Sequence, residues 1–205
     1  MPVKNLRHLP KAHLHLHLEG AMRPATLTEF CARYKIERPS DTRGQQFSNF
    51  TAFNEVYRAA SDSIRTKQDL ARVVLEVAED AAKDGANWIE LAFDADRYTI
   101  LRADRSLRLF ETPYEGWLFA LEAARNASEK TGVGISFISA IDRTRPIEQA
   151  NERAKLTSNL ISSQKHQITA KNINGGEPYA GIIGLGLHGN EEGYPPELFA
   201  EAFQV

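Results

Sequence analysis

The sequence predicts an α/β fold built on a parallel sheet, and three observations carry that expectation. Four segments that read as strands begin near residues 12, 86, 133 and 181. Each is followed by a stretch whose apolar residues recur at helical spacing. No stretch between them is rich enough in Pro, Gly or Ser to separate two domains, so residues 1–205 read as one domain. Strands alternating with helices imply βα units, a parallel sheet and helices packed outside it.

The first strand is the alternating run Ala12-His13-Leu14-His15-Leu16-His17-Leu18, ended by Gly20. Pro24 to Tyr34 reads as a short helix through Leu27, Phe30 and Cys31. Residues 37–47 are polar and loop-like, and Phe50, Phe53 and Tyr57 mark another short amphipathic helix. Thr66 and Asp69 have capping-box spacing, Leu70, Val73, Val74, Val77 and Ala81 form one apolar stripe, and Gly85 stops that helix. Trp88 to Phe93 is the second strand. Thr112, Pro113 and Glu115 start a helix that ends before Gly132. Val133 to Ile141 is the third strand, and Pro146 opens a helix to about Leu160. Residues 162–180, with Asn174-Gly175-Gly176, read as a loop or insertion. Gly181 to Leu187 is the fourth strand, and Pro195-Pro196 leads into a last helix from Glu197 to Phe203.

Composition excludes several classes. The 205 residues are 42% hydrophobic and 25% charged with a net charge of −2, which rules out a disordered tail, a collagen repeat or a disulfide scaffold. Near-neutral charge gives no general electrostatic reason to bind nucleic acid or an anionic membrane. No apolar run is long enough to span a bilayer, and Met1 to Glu19 lacks the apolar core of a secretory signal. A cytoplasmic location is the resulting expectation. Cys31 is the one cysteine, so neither an internal disulfide nor a multi-cysteine zinc site is available, and it reads as a small buried hydrophobe.

The densest chemical signal is His13, His15 and His17. Alternate residues on a strand share a face about 6.5–7 Å apart. His15 and His17 can therefore converge on one ion at Zn–N distances of about 2.0–2.1 Å. His13 and His17 are about twice as far apart and cannot easily share it. The alternative is a polar strand face without metal. Strict alternation of three histidines between leucines favours the metal. His8 and His166 read as solvated residues of the leading segment and the insertion.

The run Leu9-Pro10-Lys11-Ala12-His13-Leu14-His15-Leu16-His17-Leu18-Glu19-Gly20, with Met22-Arg23-Pro24-Ala25-Thr26-Leu27, resembles the opening of the adenosine deaminase family of metal-dependent amidohydrolases. Glu79 to Gly85 leading into Trp88 to Phe93 fits the same family, as does Arg143 after the third strand. Gly184 to Glu191, with Pro195-Pro196, resembles its fourth-strand signature. The resemblance implies a (β/α)8 TIM barrel, of which this chain carries about the first four βα units. It implies one zinc per site, with His15 and His17 as its ligands from the first strand. It implies Glu19 at the acidic position that contacts the ribose in nucleoside-using members, and Gly189 where a backbone N–H meets the purine ring. Phe50 and Phe53 read equally as pocket walls and as helix packing.

The sequence departs from the family pattern at four places. His13 replaces an acidic residue, Ala92 stands where many members have Arg, Gly186 where many have Asp, and Glu19 is one methylene longer than the usual Asp. The last three border the substrate pocket, so they leave the substrate open more than the reaction. Gly184-Leu185-Gly186-Leu187-His188-Gly189 also fits the dinucleotide pattern G-x-G-x-x-G. Asn190 to Pro196 reads as a loop where that motif needs a helix, and the acidic residue about 20 positions on would lie beyond Val205. His188 and Glu191 have the outer spacing of the family's fifth-strand His-Ala-Gly-Glu motif, but the double proline after them matches the fourth strand instead.

The chemistry that the resemblance implies is zinc-dependent hydrolytic deamination of adenosine or a related 6-aminopurine. A metal-activated water attacks the amino-bearing carbon, a carboxylic acid protonates the ring, and ammonia leaves. The acid Glu, the third His, a water-positioning His and a last Asp belong to later strands of the family. The expectation is therefore a truncated N-terminal half, inactive alone, whose partner is a small purine and neither nucleic acid nor membrane. Two alternatives are another metal-dependent amidohydrolase acting on an amide or ester, and a non-catalytic remnant that at most binds purine.

Overall fold

The computed structural model describes residues 9–100, 108–164 and 179–205. Four strands form one sheet in the order β1-β2-β3-β4, with every neighbouring pair parallel. These are β1 (Lys11–His17), β2 (Ala86–Phe93), β3 (Gly134–Asp142) and β4 (Ala180–His188). Helices α1 (Pro24–Tyr34), α2 (Phe50–Ser61) and α3 (Lys67–Asp84) join β1 to β2. Helix α4 (Pro113–Thr131) joins β2 to β3, and α5 (Ile147–Gln164) joins β3 to β4.

The helix ends follow local chemistry. Thr66 Oγ1 accepts from the Asp69 N–H, and the Asp69 carboxylate accepts from the Thr66 N–H, so α3 begins on the expected capping box. It ends at Gly85, whose φ of +83° is open to glycine without strain. Thr112 caps α4 by accepting from the Glu115 N–H, while the Glu115 carboxylate accepts from the Glu111 N–H.

The α3 stripe packs onto the sheet. Leu70, Val73, Val74 and Ala78 are fully buried, as are Ile89, Leu91 and Phe93 of β2 and Ile135 and Phe137 of β3. All belong to one apolar cluster with Trp117, Ala120 and Ala124 of α4. Register pairs Ile89 with Ile135 and Leu91 with Phe137, so the outward face of the sheet is continuous beneath the helices. The opposite face carries Ala92, Ile138, Gly184 and Gly186, in the row that continues to His17 and His188.

Three details differ from the expected elements. Strand β1 has a register shift between His13 and Leu16, and His15 sits at φ +61°. That is a bulge with a non-glycine residue in the left-handed region, where strict alternation breaks. The segment expected as a helix from Glu197 is a 3-10 helix, Pro196–Phe203. Side chains three apart eclipse in that geometry, and Phe199 and Ala202 are indeed the buried pair. Finally, residues 162–164 extend α5, Tyr179 is buried and Ala180 begins β4; residues 165–178 of the expected insertion lie outside the described residues. Among the described residues, no helix is long and apolar enough to cross a membrane.

Candidate active site

Parallel strands gather their carboxyl ends at one end of the sheet, where barrel enzymes place their chemistry. Here those ends carry His17 and then Glu19, Asp94 just after β2, Asp142, and His188 followed by Gly189. Strands β1 and β4 are opposite edges of the sheet, yet the His17 and His188 rings are 4.9 Å apart between centroids. The sheet therefore curls strongly, as a segment of a barrel must.

The bulge brings His15 back beside His17, with ring centroids 5.5 Å apart. His15 also stacks on His188 at 6.2 Å. His13 is elsewhere: its Nε2 lies 3.2 Å from Asp84 Oδ2 at the far end of α3. The structure thus brings together His15 and His17 and adds His188, which the sequence had set apart. His8 and His166 lie outside the described residues.

Room for the His188 ring comes from glycine. A Cβ on Gly186 would stand 2.8 Å from His188 Nε2 and 2.8 Å from Ile138 Cγ2. Where Gly186 departs from the family's Asp, His188 fills the space. Gly189 has φ +100°, and a Cβ there would meet Asp142 Oδ1 at 2.9 Å. The turn carrying it is pinned by Arg143, which donates its N–H to His188 O at 2.9 Å and its Nη1 to Tyr194 O at 3.1 Å.

Burial, the main cause, lowers the His17 pKa; the Glu19 charge opposes that and His15 adds to it. Burial, with the charges His17 and His15 would bear, pushes His188 down to about 4. Neutral imidazoles with free lone pairs are what a metal ion requires. Two imidazoles side by side, His15 and His17, fit part of a zinc site. Among the described residues, no group of three or more His, Cys, Asp or Glu forms a ready metal cage.

A stability effect follows for the metal-free protein. Folded His188 binds its proton more weakly than the unfolded chain, whose imidazole titrates near 6.5. Stability linked to His188 is complete above pH 6.5 and is lost as pH falls toward 4. In chelator-treated protein the urea midpoint should fall across that window, and less steeply in His188→Asn. Equal slopes in the two proteins would contradict this assignment.

Glu19 is 6% exposed, and both of its oxygens are held. Tyr57 donates its hydroxyl to Oε2 at 2.8 Å, and Tyr98 donates to Oε1 at 2.6 Å. Burial and the Glu19 charge both push the two phenols far above their ordinary pKa, so they remain donors. Tyr57 also packs edge-on against His17 at 6.1 Å and lies under the Arg97 guanidinium at 5.5 Å. From Tyr57 an aromatic ladder runs outward along α2 through Phe53, 6.1 Å away, to Phe50 and to Phe47, which precedes the helix. Phe50 and Phe53 are 39% and 37% exposed, so neither is simply buried against the sheet.

Sequence reasoning missed this phenol clamp. Its signals were present: Tyr57 shares a helical face with Phe50 and Phe53, and Tyr98 follows the carboxyl end of β2. It also missed Asp94, which caps the turn Ala95–Tyr98 and accepts from Arg145 Nη2 at 3.2 Å. Burial pushes the Asp94 carboxyl up to about 6, with Arg145 pulling the other way. A surface recess of about 370 Å³ lined by Glu55, Arg58 and Asp62 also contains Ile36, Glu37 and Ala59 but none of the site residues above.

The family model described as Adenosine deaminase matches residues 10–205. An adenine deaminase from Vibrio parahaemolyticus is 30% identical over 96% of this chain and 52% of its own length. An adenosine deaminase from Clostridium acetobutylicum is 27% identical over 96% of this chain and 54% of its own. Among solved structures, an amidohydrolase from Burkhoderia ambifaria with bound zinc has a TM-score of 0.65 at 21% identity, over 98% of this chain and 50% of that one. The chain spans about half the length of the curated relatives it matches. On a match that runs from the histidine strand to Val205, the chain belongs to the adenosine deaminase family.

Proposed function

We propose that this chain forms the N-terminal part of a single deaminase barrel domain, which hydrolyses the amino group of a 6-aminopurine and releases ammonia. The observation that carries the reading is the meeting of His15 and His17 at the carboxyl ends of the strands, with Glu19 and Gly189 beside them. In the reaction, water adds to the amino-bearing ring carbon, the C–N bond breaks, and the products are a 6-oxopurine and ammonia.

His15 and His17 would hold one zinc ion, and burial favours the neutral donor form of His17. The chemistry a zinc ion supplies when bound is a water acidified to a pKa near 7. Gly189, fixed in its left-handed turn, offers a backbone N–H to the purine ring. Phe53 and Phe50 offer flat apolar surface to the same ring. Glu19 borders the substrate space through Tyr57. A cytoplasmic setting fits a chain whose single cysteine is buried and unpaired.

A second reading is a purine binder without catalysis. Following the ultraviolet spectrum of adenine and adenosine with the zinc-loaded full-length protein separates the two. The deaminase reading expects conversion of at least one of them to its 6-oxo product. Ligand binding without conversion supports the binder.

A further inference from the structure

Among the described residues, the groups around the histidines offer a sugar or a phosphate little to bind. A nucleoside needs acceptors and donors for its hydroxyls, and a nucleotide needs unpaired cations for its phosphate. Tyr57, the inner ring of the aromatic ladder, donates to the Glu19 carboxylate. Each of the Glu19 oxygens already receives a phenol hydroxyl, and the residue is only 6% exposed.

The arginines at this end of the strands are similarly engaged. Arg143 bonds Tyr194 O and Glu191, Arg145 bonds Asp94, and Arg153 bonds Asp96. Arg97 donates to Ser61 and lies over the Tyr57 ring. The Nε atoms of Arg97 and Arg143 lack partners, but both are buried out of a ligand's reach. What the described rim does present is flat and uncharged: Tyr57 against His17, Phe53 against Tyr57, and Phe50 and Phe47 both against Phe53.

We propose that the substrate is a free 6-aminopurine base, and that Tyr57 is a specificity-determining residue that excludes nucleosides by covering the Glu19 carboxylate. This rests on the deaminase reading above and names its substrate class. A ribose hydroxyl entering beside Tyr57 would lose water and find its acceptor already taken, which weakens binding by roughly tenfold or more. Tyr98 anchors the same carboxylate from beneath. It is fully buried, so removing its hydroxyl frees no group that a ligand can reach.

The test is calorimetric binding of adenine, adenosine and adenosine monophosphate to the zinc-loaded full-length protein. Adenine should bind about tenfold or more tighter than adenosine, and the monophosphate weakest. In Tyr57→Phe the adenine-to-adenosine ratio should narrow by about tenfold, because Glu19 Oε2 becomes available. In Tyr98→Phe the ratio should stay unchanged while thermal stability falls. Adenosine or the monophosphate binding as tightly as adenine to the wild type would overturn the proposal and leave the deaminase reading standing. An unchanged ratio in a folded Tyr57→Phe protein would overturn the role of Tyr57. Failure to bind any of the three would bring down the deaminase reading and this proposal with it. The wild-type comparison decides the substrate class even if the variant does not fold.

Discussion

Replacing His17 with alanine in the full-length protein should lower zinc affinity roughly 100-fold or more, since even the loss of an outer-shell partner costs 10–100-fold. His17 is half-buried at the end of β1, between His15 and His188. Its imidazole is held neutral by burial, which is the protonation state a metal ion accepts. An alanine removes the donor and leaves a gap beside Tyr57. His13→Ala provides the contrast. His13 pairs with Asp84 at the opposite end of the sheet, so zinc content should not change. Metal analysis after dialysis reads both. Equal zinc in wild type and His17→Ala would remove His17 from the site, and loss of zinc in His13→Ala would mean that the two ends of β1 are not independent.

The largest stability effect is expected at Trp117. It is 1% exposed on α4 and packs edge-on against Phe93 at 5.0 Å and against Phe137 at 5.7 Å. Those two rings are the outward anchors of β2 and β3, so the indole joins the helix layer to the centre of the sheet. Trp117→Ala should cost about 3–5 kcal/mol, the transfer of a large ring plus the cavity it leaves. Urea denaturation followed by circular dichroism measures it. A loss below about 1 kcal/mol would mean that the layer collapses around the gap or was never tightly packed there.

Much of the fold was legible because local rules and tertiary packing agree. The α3 stripe, its capping box and Gly85 lie within one helix and could be read without neighbours. The four strands were legible from apolar runs set between helix signals, and parallel pairing followed from the alternation. The bulge at His15 was not legible, because alternation in sequence predicts a regular strand and only pairing with β2 reveals the shift. The 3-10 geometry after Pro196 was hidden for a similar reason: helical spacing over so few residues does not separate the two helix types.

The site was legible in part. His15 and His17 stand out because strand periodicity places neighbours of one type on one face. His188 did not, since its approach depends on how far the sheet curls between β1 and β4. Gly186 looked like a lost acid in sequence, whereas in space it makes room for that ring. Tyr57 and Tyr98 lie 38 and 79 positions from Glu19, so no local pattern could connect the clamp.

The central claim is that the histidines at the carboxyl ends of the strands serve a zinc-dependent deamination. The measurement that tests it most directly is ammonia release from adenine by chelator-treated full-length protein as zinc is returned. The account predicts no release without metal, a rise with added zinc, and a plateau near one equivalent per chain. Ammonia release at full rate before any zinc is returned, or none at any zinc level in protein shown to bind the metal, would contradict it.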